Sequence, residues 1–133
     1  MNEHEKALAV TCLEGAEKDI MTFPQIVRAL MAAGFESYEI DFRRRTATYY
    51  SANGESVELA THSIEAPVAS GFDSGQIRAA IEEAQQFAPG YTYKGFCRKV
   101  AAAGCAGYVV SFLGRRALYI GRTAETHVEH FPG

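Results

Sequence analysis

The sequence predicts an α+β domain made of two copies of a helix-helix-strand-strand-strand unit. Antiparallel strands are expected to be covered on one side by helices, with the halves related by a pseudo-two-fold. Three observations predict this. Residues 22–49 and 92–119 align without a gap, and ten positions are identical, among them Arg28/Arg98, Gly34/Gly104, Tyr38/Tyr108 and Tyr49/Tyr119. Self-similarity at a fixed offset marks a repeated structural unit. Within each copy, apolar residues at helical spacing give way to strict alternation, the change of period from helix to strand. Finally, the segment between the copies is rich in small polar residues, with Pro67 and Gly71. The single domain is therefore divided into residues 1–60 and 72–133, joined by 61–71.

The first helix is predicted over residues 3–19, rich in Ala, Leu and Glu and free of Pro. Leu8, Cys12 and Ala16 recur at helical spacing, flanked by Val10 and Leu13. The second begins at Thr22, whose hydroxyl can cap the first turn, with Gln25 at the reciprocal position and Pro24 where a missing N–H is tolerated. Phe23, Ile26, Val27, Leu30 and Met31 form its apolar stripe. Gly34 supplies the left-handed stop, as Gly104 does in the second copy.

Residues 37–43 alternate: Tyr38, Ile40 and Phe42 point one way, Glu39, Asp41 and Arg43 the other. This is a strand with one buried face. The three arginines 43–45 make a turn into a second strand over 46–51. Asn53-Gly54 is a strong hairpin signal, and 55–60 form the third strand. Asp73 caps a helix that runs to Phe87 and ends at Pro89-Gly90. The second copy then repeats the order. Tyr108, Val110 and Phe112 lie on one face of its first strand. Val109 and Leu113 on the opposite face predict cover on both sides. Strands over 116–121 and 125–131 complete it. A unit of this size buries a marginal core by itself, so the copies are expected to share one core. Either a continuous six-stranded sheet or two facing three-stranded sheets would achieve this.

Composition narrows the function classes. The 133 residues carry a net charge of −3, so no global positive field invites nucleic acid. No apolar run approaches the roughly 18 residues of a membrane span. Residues 1–10 lack the apolar core of a secretion signal, so a cytoplasmic location is expected. Cys12, Cys97 and Cys105 are odd in number and form no CxxC pair, which is not a disulfide framework. Phosphate-binding glycine loops and a GxSxG elbow are lacking, and no cofactor is expected.

The polar residues repeated between the copies are arginine and tyrosine. Paired Arg28 and Arg98, with Tyr38, Tyr108, Tyr49 and Tyr119, suit a small anionic or aromatic ligand through bidentate hydrogen bonds and stacking. Repeated packing is the first explanation of repeated positions. His127 and Glu129 share one face of a strand and could supply two metal ligands or an acid-base couple, with His62 as a third member. The bland reading is an edge strand whose charges discourage sheet pairing. Cys97 and Cys105 stand where the other copy carries Val27 and Phe35, as small buried hydrophobes do. Arg43, Arg44, Arg45, Arg115, Arg116 and Arg122 gather at the predicted hairpin turns, either as solvated charges or as a local basic rim.

The strings FDSGQIRAAI, FCRKVAAAGCAGYVV and GRRALYIGRTAETHVEHFPG, in that order, resemble the YbcV-like family of prophage-associated bacterial proteins. The likeness is densest over residues 72–133. The family carries no assigned catalytic residues, so the resemblance implies the fold and leaves the activity open. The sequence therefore points to a non-enzymatic binding domain for a small ligand or a host protein, with a homodimer compatible. The alternative is a hydrolytic or metal-dependent enzyme using His127, Glu129 and His62. No catalytic residue is assigned.

Overall fold

The computed structural model describes residues 1–62 and 67–132; residues 63–66 of the predicted link lie outside the described residues. The element order is α1 (Glu3–Glu17), α2 (Phe23–Ala32), β1 (Phe35–Asp41), β2 (Thr46–Ser51), β3 (Ser56–Ala60), α3 (Ser74–Gln86), α4 (Tyr93–Ala102), β4 (Cys105–Ser111), β5 (Arg116–Gly121) and β6 (Thr126–His130). The strands form one continuous antiparallel sheet in the order β3-β2-β1-β4-β5-β6. The choice between one sheet and two is thereby settled. Its centre is the β1–β4 pair, with Tyr38 opposite Val110 and Ile40 opposite Tyr108.

Local chemistry starts each helix. Thr22 and Gln25 form the expected reciprocal capping box on α2. Asn2 and Glu5 form another on α1. On α3, Asp73 accepts from the Gln76 amide. The hairpin turns are held by the side chain just before them. Asp41 accepts from the amides of Arg43 and Arg44, and Ser111 accepts from Gly114.

Apolar side chains on one face of the sheet meet the helices. Leu30, Ile77, Val100 and Val110 are fully buried at the centre. Several expectations need correction here. The α2 stripe is narrower than its apolar residues suggest, since Ile26 and Leu30 are buried while Phe23 and Met31 are exposed. A ten-residue helix lying on a sheet turns only part of its circumference inward. Val10 of α1 and Phe87 after α3 are exposed as well. β1 starts two residues earlier than the alternation implies, at Phe35. A register shift between Phe35 and Ser37 returns Phe35 to the core and breaks the period-two pattern. Cover on both faces of β4 is not found: Val109 is half-buried and Leu113 is 77% exposed at the turn.

The arginine-rich turns do not form a common rim. Because β1 and β4 run antiparallel, with Asp41 beside Gly107 and Ser37 beside Ser111, the turn carrying Arg43–45 and the turn carrying Arg115 lie at opposite ends of the sheet. Arg122 is committed elsewhere, donating to the Val68 carbonyl at 3.0 Å.

Candidate functional site

Between the helices and the sheet lies a cavity of about 250 Å³. Its floor is the helix-facing side of the four central strands. Tyr38 and Ile40 come from β1, Tyr49 from β2, Tyr108 from β4 and Tyr119 from β5. These side chains share a face because alternate residues of a strand do. Its walls come from helix ends: Cys12 and Leu13 of α1, Phe23 and Ile26 of α2, Ile81 and Ala84 of α3, Tyr93 and Phe96 of α4. Glu129, His130 and Phe131 of β6 and the residue after it form one lip, and Asp19 another.

The floor is aromatic. Tyr38 stacks on Tyr49 with centroids 5.4 Å apart, and Tyr108 lies 5.2 Å from Tyr119. Tyr38 and Tyr108 meet edge to face at 6.5 Å across the central pair of strands. All four are buried. The Tyr108 hydroxyl lies 2.7 Å from that of Tyr93. Among the described residues, the hydroxyls of Tyr38, Tyr49 and Tyr119 have no hydrogen-bond partner, yet no sealed side-chain oxygen is left unpaired. These three phenol oxygens therefore reach open volume rather than packed protein. Burial, the largest cause, pushes all four phenols above their ordinary value near 10, with neighbouring ionisable groups adding to it. They are neutral hydrogen-bonding groups at physiological pH.

The Tyr93–Tyr108 contact is testable. Tyr108→Phe is expected to lower stability by about 1 kcal/mol. The Tyr93→Phe, Tyr108→Phe double variant should lose less than the sum of the single losses. Urea denaturation of the four proteins measures the coupling; full additivity would show that the two hydroxyls do not act on each other.

The other candidate residues are distributed differently. Arg28 and Arg98 are exposed, and neither lines the cavity. Each stands two residues from a buried position of its helix, Ile26 and Phe96 respectively, which turns it away from the core. The structure thus brings the four strand tyrosines together without the arginines. His127 Nε2 lies 3.0 Å from Glu129 Oε2, as a same-face pair on one strand should. His62 does not join them. It follows β3 at one edge of the sheet, whereas His127 is on β6 at the other, five strand spacings or about 24 Å away. His62 instead pairs with Glu17, its Nδ1 3.7 Å from the carboxylate, and is 80% exposed. Among the described residues no cluster of three or more His, Cys, Asp or Glu could hold a metal ion. The three-residue metal site is therefore not assembled.

The cysteines are buried. Burial raises the Cys12 thiol and pushes Cys105 up to about 11, where its Sγ also contacts the Gly107 carbonyl at 3.2 Å. Neither is an activated thiolate. The residues that the sequence did not mark are Tyr93 and Phe96 as cavity walls; Glu129 was marked, but as a partner of His127 rather than as a lip of the cavity. Tyr93 and Phe96 recur at helical spacing, and nothing in periodicity tells a packed stripe from one that borders a void.

Fold and site together define a small α+β domain whose helices and single sheet enclose a tyrosine-floored cavity. Over residues 12–127 the chain matches the family described as protein of unknown function (DUF1398), and it belongs to that family. No curated protein matches it. Among the described residues no helix is long and apolar enough to cross a membrane.

Proposed function

We propose that this protein is a non-enzymatic binding domain that holds a small, largely apolar aromatic molecule in the cavity between helices and sheet. The observation that carries the reading is the set of three buried tyrosines whose hydroxyls, without partners, reach a volume of about 250 Å³. A dry apolar cavity of about 150 Å³ accepts benzene, so this one has room for a molecule of one or two rings. Ring faces supply stacking, and the phenols supply hydrogen bonds that a bound polar group would complete. The anionic ligand suggested by Arg28 and Arg98 loses support, because both guanidinium groups are exposed and away from the cavity.

The reading extends to the chain's history and setting. Two copies of one unit, related by a pseudo-two-fold between β1 and β4, would explain the matched elements: α2 and α4 have 10 residues each and β1 and β4 have 7. The same reading treats the chain as one domain of two repeats, residues 1–60 and 72–133. The YbcV-like resemblance supports a prophage-carrying bacterial cell, and a cytoplasmic location within it.

Thermal unfolding with toluene, indole and naphthol tests the binding. A ligand at about 100 times its Kd stabilises by about 2.7 kcal/mol, a rise in Tm of several degrees. Ala84→Phe, which projects a ring into the cavity from α3, should abolish the rise. If none of the three compounds shifts Tm, or if Ala84→Phe responds as the wild type does, the cavity is not the binding site.

A further inference from the structure

We infer that the occupant of the cavity is an organic cation: an ammonium group on a small aromatic or aliphatic body. This rests on the cavity reading above and adds the sign of the ligand's charge. The ionisable groups lining the cavity, tyrosines and cysteine aside, are Asp19, Glu129 and His130, with no lysine or arginine among them. Two acidic residues therefore border the space, with one exposed histidine. Glu129 is held in place by His127 at 3.0 Å and is only partly exposed.

An anion would need donors; the three tyrosine hydroxyls offer some, but several of the backbone amides nearby are committed. The N-terminus of α2 borders the cavity at Thr22 and Pro24. Pro24 has no N–H, and the Thr22 and Gln25 amides are taken by the capping box. The α4 N-terminus also borders it, but the Tyr93 amide donates to Asp19 Oδ1 at 2.8 Å. Each helix end that would ordinarily invite negative charge thus has part of its first turn already answered.

What remains suits a cation. The stacked pair Tyr38/Tyr49 and the tilted pair Tyr108/Tyr119 line the cavity with electron-rich rings, which attract ammonium groups most strongly where water is excluded. The unpartnered hydroxyls of Tyr38, Tyr49 and Tyr119 can each accept a hydrogen bond from an N–H. Carboxylates at the lip, rings on the floor and acceptor oxygens between them are the elements that recognise an amine. A neutral aromatic would use the rings and gain nothing from the negative charge of the two carboxylates.

Isothermal titration calorimetry of the full chain with phenethylamine, phenethyl alcohol and phenylacetate separates the possibilities, since the three share one body and differ in charge. The ammonium compound is expected to bind about tenfold or more tightly than the alcohol, and the carboxylate weakest. In Glu129→Gln, and further in Glu129→Gln with Asp19→Asn, the ratio of amine to alcohol affinity should fall toward one, with Tm showing that the fold persists. Equal binding of amine and alcohol, or tighter binding of phenylacetate, overturns the cation inference and leaves the cavity reading standing. Binding of none of the three overturns both.

Discussion

Raising the pH from about 9 to about 11 is expected to unfold the protein. Tyr38, Tyr49, Tyr108 and Tyr119 are buried side by side, and burial raises each phenol above its ordinary value near 10. Each therefore holds its proton more tightly folded than unfolded. Below pH 10 both states are protonated and the full stability is present. Above it the unfolded chain sheds protons that the folded chain retains, so stability falls until the folded value is passed. Each such group removes about 1.4 kcal/mol per pH unit. Four of them remove on the order of 6 kcal/mol one unit above 10, comparable with the roughly 5–15 kcal/mol that holds a domain together. Circular dichroism and near-ultraviolet phenolate absorbance, followed together against pH, check this. The two signals should change in one steep step. Phenolate appearing gradually near its ordinary value, with the dichroism unchanged, would contradict the buried tyrosine floor.

The second large effect separates two glycines that look alike in the sequence. Gly34 and Gly104 both end a helix at positive φ, +92° and +99°. A Cβ on Gly34 meets nothing within 4 Å, so Gly34→Ala should cost only the left-handed strain, about 1–2 kcal/mol. A Cβ on Gly104 would stand 1.7 Å from the Gly71 carbonyl oxygen. That segment cannot step aside easily: Ala69 donates to the Ala101 carbonyl at 3.0 Å, and Asp73 to that of Ala103 at 2.8 Å. Overpacking against held backbone adds about 1–3 kcal/mol. Gly104→Ala should therefore lower Tm by on the order of 10 °C, about twice the effect of Gly34→Ala. Calorimetry on both variants decides it; equal shifts would mean that the approach to Gly71 does not matter.

The same pair shows what the sequence could and could not convey. The left-handed stop was legible at both positions, because a glycine closing an apolar stripe has one common use. The close approach to Gly71 was not, since it depends on the path of the segment between the halves. Strand faces were legible from Tyr38-Ile40-Phe42 and Tyr108-Val110-Phe112, which alternate cleanly. Phe35 escaped, because a register shift interrupts the alternation that would have announced it. The four tyrosines were marked by their recurrence, but their company was misjudged. Arg28 and Arg98 recur too, yet they face solvent on their helices. Likewise the sequence left a common rim of arginine turns open as an alternative to solvated charges, because sequence equivalence says nothing of an antiparallel seam that sends equivalent turns to opposite ends. The cavity itself was invisible: it is the space left where helix ends fall short of one another, and no residue pattern encodes a space.

The β1–β4 seam also sets a timing problem during synthesis. Tyr38 and Ile40 pair with Val110 and Tyr108, so the middle of the sheet waits for chain made some 70 residues later. At about 5–20 residues per second this is a delay of several seconds. Throughout it, β1 is an open edge with its aromatic side uncovered by the later helices, the condition under which nascent strands recruit wrong partners. The segment most exposed to aggregation while the protein is being made is thus the one that ends at the centre of the finished sheet.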